Sequence, residues 1–362
     1  MGGIEKFNRV FMKVFQDLMN EDQIYFNAIT PYDTFADERY LEENHLIQSK
    51  GRLRFIFQSI WESTKYDILI LSHINLWTVG LLLRILYPKK KIVLITHGIE
   101  IWKDLSFLPK YFLNTCDLII SVSQFTRNQI IEKHKTNPDI IKVLNNTIDP
   151  YHKLPQTFVK PENLLHRYKL KIEQPILITV ARLNTSEKYK GYDLVLNLLP
   201  EILKSFPNLV YLICGKYDQP EYTRLSTLIH QLGINSNVIL AGYIREREMV
   251  AHYLLGDVFV MPSRKEGFGI VFIESMACGL QAIGGNLDGT VDAFQHGGVG
   301  FTVDPTQPME LKNAILTALQ NPLTPIERKK LQKQVIDKYG FSQYKNSISQ
   351  LMKSLYLAKK NL

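Results

Sequence analysis

Cysteine is scarce: three residues in 362, Cys116, Cys214 and Cys278, too few and too widely spaced for a disulfide framework. None forms a Cys-x-x-Cys pair of the kind that holds zinc. Such usage fits a reducing cytoplasm. Long apolar runs are missing too: the longest, 74–83, stops at Arg84, far short of the ~20 residues that a membrane-spanning helix needs. No cationic start with an apolar stretch and cleavage site marks a secretion signal, so the expected location is cytoplasmic, soluble or at most peripheral on the inner membrane face. The sequence has no Asp-x-Asp pair for a divalent ion, no Gly-x-x-x-x-Gly-Lys-Ser/Thr phosphate loop and no His-Glu-x-x-His zinc motif. Metal-dependent chemistry is therefore not indicated. Acid is outnumbered by base, 35 Asp and Glu against 43 Lys and Arg, and the resulting +8 suits anionic small molecules, nucleic acid or an anionic membrane surface.

What the chain does have is alternation. Short β-branched runs at 24–29, 68–71, 92–96, 118–122 and 140–144 are separated by helical patterns near 53–65, 75–87 and 124–133. A polar stretch with two prolines, Pro150 and Pro155, follows and suits a linker. The alternation then restarts, with strands expected at 176–180, 209–213, 238–240, 258–261 and 280–283 and helices near 192–206, 221–232, 246–255 and 269–278. This order places parallel sheets beneath helices on both faces, and the length favours two such units over one. The expected fold is α/β, two tandem doubly wound, Rossmann-like domains over 1–150 and 160–340. The start breaks the pattern: Gly2-Gly3-Ile4-Glu5 runs straight into an amphipathic helix, although a βα unit needs a strand before its glycine turn. A doubly wound sheet without its first strand lacks a central one, so the first domain is expected to miss that strand through trimming or a misassigned start.

Three places put polar side chains just past an expected strand, where ligands collect in an open α/β sheet. After 258–261 comes Ser263-Arg264-Lys265-Glu266-Gly267-Phe268-Gly269, then a helix that carries Glu274. Glycines 267 and 269 let backbone N–H groups approach a ligand, and the helix start favours a phosphate; the alternative is a helix start with acidic residues near its positive end. After 176–180 come Arg182 and Lys190. A guanidinium fork and a mobile ammonium could neutralise a diphosphate without a metal, or the two belong to a solvated basic loop. After 92–96, His97-Gly98-Ile99-Glu100 sets an imidazole beside a glycine. That histidine could bond a reacting hydroxyl or a sugar oxygen, or make a structural bond at the strand end.

Together and in this order, the segments resemble the family 4 retaining glycosyltransferases over nearly the whole chain. The most specific part, Pro262-Ser263-Arg264-Lys265-Glu266-Gly267-Phe268-Gly269 through Glu274-Ser275-Met276-Ala277-Cys278-Gly279, is similar to the family's PSxxEGFGxxxxEAMACG block. Ala181-Arg182-Leu183 with Lys190-Gly191 resembles its phosphate-binding pair, and His97-Gly98-Ile99-Glu100 its HGxE segment. Asn145-Asn146-Thr147-Ile148-Asp149 resembles its NGVD linker, and Gly2-Gly3-Ile4-Glu5 its first glycine turn. Gln281 stands where proline is usual, and Asp288-Gly289-Thr290-Val291-Asp292 where GGxxE is usual.

The resemblance implies a GT-B fold that holds a nucleotide sugar, first of all UDP-glucose or a related UDP-hexose, in a cleft between domains. The hexose would pass, with retention and without a metal, to a saccharide or lipid-linked acceptor in polysaccharide or glycoconjugate synthesis. Glu274 would take the ribose hydroxyls, Arg182 and Lys190 the diphosphate, and Glu266 a place near the anomeric carbon, with His97 contributed by the first domain. Amides of Gly267, Phe268 and Gly269 would bind the sugar or phosphate, and Gly242 and Tyr243 the base. Gly215, Ile270, Gly2 and Gly3 complete the implied donor set. The tail 341–362 would cross back onto the first domain. No cofactor beyond the co-substrate and no nucleic-acid partner is implied. Basic and aromatic residues at 50–54, and 81–84 leading into 88–91, could seat the first domain on an anionic membrane, or be an amphipathic helix packed on its own sheet with solvated lysines. Other readings are a GT-B epimerase or phosphorylase, and a degenerate nucleotide-sugar-binding module. A nicotinamide dehydrogenase is disfavoured by the lack of a strand-linked Gly-x-Gly-x-x-Gly.

Overall fold

The computed structural model describes residues 2–32 and 35–360; Met1 and residues 361–362, at the outer ends of the expected ranges, lie outside the described residues. The chain divides into two compact units, Met1–Asp149 with Phe341–Leu362, and Pro150–Gly340.

The first unit runs α1 (Gly3–Asn20), β1 (Ala28–Thr30), β2 (Leu46–Gln48), α2 (Arg52–Ser63), β3 (Ile68–Leu71), α3 (Trp77–Leu86) and β4 (Lys91–Thr96). It continues through α4 (Ile99–Trp102), α5 (Phe107–Thr115), β5 (Leu118–Ser121), α6 (Gln124–His134) and β6 (Ile141–Val143). Helix α1 forms because Phe7, Val10, Phe11, Val14, Phe15 and Leu18 recur at helical spacing, and all six are buried. The Glu5 carboxylate closes its first turn by accepting the Gly2 N–H at 3.3 Å. Strands β3, β4, β5 and β6 form a parallel sheet in that order, while β1 and β2 pair in a separate parallel sheet. Ile92, Val93, Leu94 and Ile95 of β4 are fully buried, the unbroken apolar run of a strand covered on both faces.

Two differences from the expected elements lie here. The strand expected at 24–29 starts only at Ala28, because the chain is still turning off α1: the Asp22 and Gln23 N–H groups bond back to the Met19 and Leu18 carbonyls at 2.9 and 3.0 Å. Strand β2 went unforeseen because three residues are too few to show a period. No strand precedes α1 among the described residues. Gly2 is the extended residue before the helix, and Gly3 opens the helix without a positive φ.

The second unit runs α7 (Glu162–Tyr168), β7 (Ile176–Val180), α8 (Tyr192–Ile202), β8 (Val210–Cys214), α9 (Gln219–Gln231), β9 (Val238–Gly242) and α10 (Met249–Leu255). Then come β10 (Val258–Met261), α11 (Ile270–Ala277), β11 (Gln281–Gly285), α12 (Thr290–Ala293), β12 (Phe301–Val303), α13 (Pro308–Gln320) and α14 (Pro325–Tyr339). The six strands are all parallel, in the order β12-β11-β10-β7-β8-β9. The order reverses between β7 and β10, the switch point where open α/β sheets bind ligands beyond the strands' carboxyl ends. Leu177, Tyr211, Ile213, Val258 and Val260 fill the core beneath α8 and α13. Helix α15 (Phe341–Lys360) belongs to the first unit. Tyr344, Ile348 and Met352 form its buried stripe, and Lys345 pairs with Glu21 just past the end of α1.

Candidate functional site

In the second unit, the carboxyl ends of five successive strands each deliver a named residue. Arg182 follows β7, Gly215 follows β8, and Gly242 and Tyr243 close β9. Glu266 follows β10 and Asp288 follows β11. Arg182 and Glu266 thus leave the two strands that flank the reversal.

The stretch after Arg182 is a 3₁₀ helix, Thr185–Lys190, rather than an open basic loop. It folds Glu187 beneath the surface, where Oε1 pairs with the Arg182 guanidinium at 2.6 Å; Glu187 Oε2 is buried with no hydrogen-bond partner. The Arg182 side chain remains 61% exposed. Lys190, at the helix end, reaches across to Glu266, and their side chains are 15% and 20% exposed. Burial works against the ammonium, but the attraction of Glu266 and its hydrogen bond outweigh it and hold Lys190 above the ordinary lysine range. The Arg264 N–H donates to the Tyr189 carbonyl at 2.9 Å, so the two loops are tied through backbone as well.

Asp288, fully buried, anchors the Glu266 loop from below. Its Oδ2 accepts the Ser263 hydroxyl at 2.8 Å and the Glu266 N–H at 2.7 Å, while Oδ1 accepts the Thr290 N–H at 2.9 Å. Burial, with Glu266 adding to it, pushes this carboxyl up to about 6 against the pull of the Thr290 and Ser263 bonds. The next residue must be glycine on steric grounds: a Cβ at Gly289 would lie 2.0 Å from the Gly267 carbonyl oxygen. Sequence reasoning met Asp288 only as a departure from a motif; the structure makes it the support of the loop that presents Glu266.

Glu274 sits in α11, 1% exposed, and accepts the Tyr253 hydroxyl at 2.9 Å. Phe268 is also 1% exposed and packs edge-on against Tyr339, so its side chain belongs to the core. Gly267, Gly269 and Ile270 lead into α11, with Ile270 its first residue. Gly215 donates its N–H to the Gly242 carbonyl at 2.8 Å. Its φ is +156° and an added Cβ would meet the Ala181 oxygen at 1.7 Å, so only glycine lets the β7 and β8 loops come this close. Tyr243 is well exposed, and Tyr217, missed in the sequence, packs against Tyr222 with centroids 4.8 Å apart and the rings tilted by 33°.

In the first unit His97 follows β4. Its Nε2 lies 2.8 Å from the Ser72 carbonyl, which can only accept, so Nε2 carries the proton and Nδ1 is left as an acceptor. Burial lowers its pKa, with Glu100 and the Ser72 bond opposing, which keeps the ring neutral near pH 7. Glu100 accepts the His97 and Gly98 N–H groups at 2.5 and 3.2 Å and fixes the turn. His73 lies alongside, ring centroids 6.2 Å apart, with its Nδ1 accepting the Asn75 N–H at 3.0 Å. It follows β3 as His97 follows β4, so the same positional signal could have found it. Gly2 and Gly3 stand at the start of α1. Among the described residues no group of three or more His, Cys, Asp or Glu side chains is gathered where it could hold a metal ion.

The model for Glycosyl transferases group 1 matches residues 162–338, and that for Glycosyltransferase Family 4 matches residues 35–152. This chain belongs to the family 4, group 1 glycosyltransferases. Among its relatives is the GDP-mannose-dependent alpha-(1-6)-phosphatidylinositol monomannoside mannosyltransferase of Mycolicibacterium smegmatis, 28% identical over 247 residues, 64% of this chain and 62% of that protein. Another is the N-acetyl-alpha-D-glucosaminyl L-malate synthase of Bacillus anthracis, 28% identical over 223 residues, 58% of this chain and 54% of that protein. The chain thus spans about three fifths of the length of these curated relatives. Its fold is similar to that of Anabaena Alr3699/HepE, solved in complex with UDP: TM-score 0.78, 19% identity, 98% of this chain and 96% of that one. Both units of the chain are Rossmann-like, in keeping with the GT-B architecture.

Proposed function

We propose that this glycosyltransferase moves a hexose from a nucleoside diphosphate sugar to a saccharide or lipid-linked saccharide, and that the second unit holds the donor. The observation that carries this reading is the Lys190–Glu266 pair at the carboxyl edge, beside the strand-order reversal. One partner is a cation of the kind a departing diphosphate needs, and the other is a carboxylate that can accept sugar hydroxyls. Arg182, exposed and bidentate-capable, supplies a second cation from the same connection after β7 that carries Lys190. Two preorganised cations offset the charge that develops on the leaving group, each contributing on the order of 3 kcal/mol when well placed. In the retaining reaction the bond from the anomeric carbon to the phosphate oxygen breaks as the acceptor oxygen bonds that carbon. The acceptor's proton goes to the departing phosphate. Glu274 would receive ribose hydroxyls in its buried setting, and His97 of the first unit keeps Nδ1 as an acceptor for a hydroxyl.

UDP-hexoses are the first donors to test, since the fold-similar Anabaena protein was solved with UDP; GDP-mannose is the competing donor, from the name of the mannosyltransferase relatives. A melting panel of UDP, GDP, ADP and their hexose derivatives tests the reading. At a hundred times its dissociation constant a true ligand stabilises the fold by about 2.7 kcal/mol, and a panel in which nothing shifts the melting point removes the proposal.

For the acceptor side, one surface supports peripheral contact with anionic lipid. On α2, Leu53, Phe57 and Trp61 recur at one-turn spacing and are at least 70% exposed, next to exposed Lys50, Arg52 and Arg54. The second stretch expected to contribute has other partners. Arg84 bonds Asp117 at 2.5 Å, Lys90 caps α2 through the Thr64 carbonyl at 3.0 Å, and Lys91 pairs with Asp117 at 3.3 Å. Co-sedimentation with phosphatidylserine vesicles but not with phosphatidylcholine vesicles is the expected result. No helix among the described residues is long and apolar enough to cross a membrane.

A further inference from the structure

The place of Lys190 depends on the residues that follow it. Gly191 ends the 3₁₀ helix Thr185–Lys190 with φ +84° and also starts α8, its carbonyl accepting the Leu194 N–H at 3.1 Å. A Cβ on Gly191 would lie 2.3 Å from the Pro262 carbonyl oxygen, so this turn is pressed onto the end of β10, where the Glu266 loop departs. A glycine in this conformation is a pivot, with no side chain to fix the angle between the 3₁₀ helix and α8. That angle is set by whatever anchors the first turn of α8.

The anchor is a buried network shared with α9. Tyr192, the first residue of α8, is fully buried and donates its hydroxyl to Glu221 Oε1 at 2.6 Å. Glu221, in the first turn of α9, is fully buried as well, and its N–H donates to the Asp218 carboxylate at 2.8 Å. Arg224 closes the network. Its Nε donates to Glu221 Oε2 at 2.8 Å, and its Nη2 donates to Glu221 Oε1 at 2.6 Å and to Asp193 Oδ1, on the second residue of α8, at 2.8 Å. Burial works against the Glu221 charge, but the Arg224 and Tyr192 bonds outweigh it and hold the carboxyl below its ordinary range. A buried ionic network adds little net stability over an apolar contact of the same volume. What its directed bonds add is a fixed orientation.

We infer, on the reading of Lys190 as a diphosphate-binding cation, that Tyr192 and Glu221 are positioning residues that aim its ammonium. With no exposed surface, neither can touch a nucleotide, so their effect is exerted through Lys190. On its other side the 3₁₀ helix is held by the Arg264 N–H, which donates to the Tyr189 carbonyl at 2.9 Å. Lys190 therefore stands between a tied loop and a tied helix start, and its long side chain magnifies any roll of α8 at the Gly191 pivot. A displacement of about 1 Å at a binding or reacting group can cost about 10²-fold. Loss of the Tyr192 hydroxyl frees the helix start by a part of that, for an expected loss of about tenfold.

The test is calorimetric titration of UDP and of GDP, with a melting curve for each protein. The proteins are wild type, Tyr192→Phe, Lys190→Met, the double variant of these two, and Leu199→Val, a core change in α8 that leaves the network alone. For the nucleotide that binds wild type, Tyr192→Phe is expected to raise the dissociation constant about tenfold, and to change it by less than about twofold once Lys190 is replaced. Leu199→Val is expected to lower the melting temperature and leave the dissociation constant unchanged, which separates aim from stability. An unchanged dissociation constant in Tyr192→Phe overturns the inference; so does a loss of equal size with and without Lys190, or an equal loss in Leu199→Val. If neither nucleotide binds wild type, or Lys190→Met binds as tightly as wild type, the donor reading itself fails and takes the inference with it, an outcome distinct from the other three. Should Tyr192→Phe not fold, Glu221→Gln is read in its place against the same outcomes, since it keeps an acceptor for the hydroxyl but not the charge that Arg224 holds.

Discussion

Replacing Lys190 by methionine and Glu266 by glutamine, singly and together, isolates the pair on which the proposed donor site rests. Exposed ion pairs contribute about 0.2–1 kcal/mol, whereas breaking a buried one by removing a single partner costs about 3–5 kcal/mol. At 15% and 20% exposure this pair lies toward the buried end, so each single change should destabilise by about 2 kcal/mol and the double change by clearly less than the sum. The expected coupling is about 1–2 kcal/mol. For a unit of this size each kcal/mol moves the melting temperature by about 2–4 °C, which calorimetry or circular dichroism resolves easily. The sign of the pH dependence follows from the raised lysine pKa. The lysine's contribution is fully present below its ordinary value of 10.5 and is lost only as pH rises through the higher folded value. The stability gap between wild type and Lys190→Met should therefore shrink only in strong alkali. Transfer should fall further than stability, with kcat/KM down about 10²-fold in Lys190→Met, because the ammonium acts on charge that exists only as the diphosphate leaves. Additive single changes, with a coupling below about 0.5 kcal/mol, would refute the reasoning.

Two further predictions use the buried titratable groups. Asp288 is raised to about 6 from 3.8, so in that window the folded form holds its proton more tightly than the unfolded form does. Stability should fall as pH rises from about 4 to 6 and level off above; Asp288→Asn should remove that slope in pH-dependent melts and weaken donor affinity by loosening the Glu266 loop. His97 has a pKa lowered below 6.5, so its share of stability is lost as pH falls from 6.5 toward the folded value and is constant above. His97→Gln keeps an N–H for the Ser72 carbonyl but lacks the acceptor nitrogen, so kcat should drop about 10²-fold with nucleotide affinity unchanged; an unaltered kcat would confine His97 to a structural role.

The alternation of strands and helices was legible because the four-stranded and six-stranded sheets are parallel and covered on both faces, which writes continuous apolar runs such as 92–95 and 176–178 into the sequence. Short edges were not: Leu46–Gln48 and Phe301–Val303 are three residues each and carry no period. At the candidate site, the sequence order placed Glu266 and Glu274 in one block and Arg182 and Lys190 past a strand end, which is where the structure has them. What stayed hidden were the partners chosen in space. Glu187 under Arg182, Asp288 under the Glu266 loop and Tyr253 against Glu274 lie 5, 22 and 21 residues from the groups they hold, and nothing in local spacing announces such pairings.

Calorimetric titration of UDP and GDP into the wild-type protein and into an Arg182→Ala, Lys190→Met double variant tests the central claim most directly. The account predicts saturable binding of at least one nucleotide to the wild type, with a dissociation constant between about 1 μM and 1 mM, weakened at least about tenfold in the variant by loss of two charge-assisted contacts. Binding of equal strength to both proteins, or no binding of either nucleotide to the wild type, would contradict it.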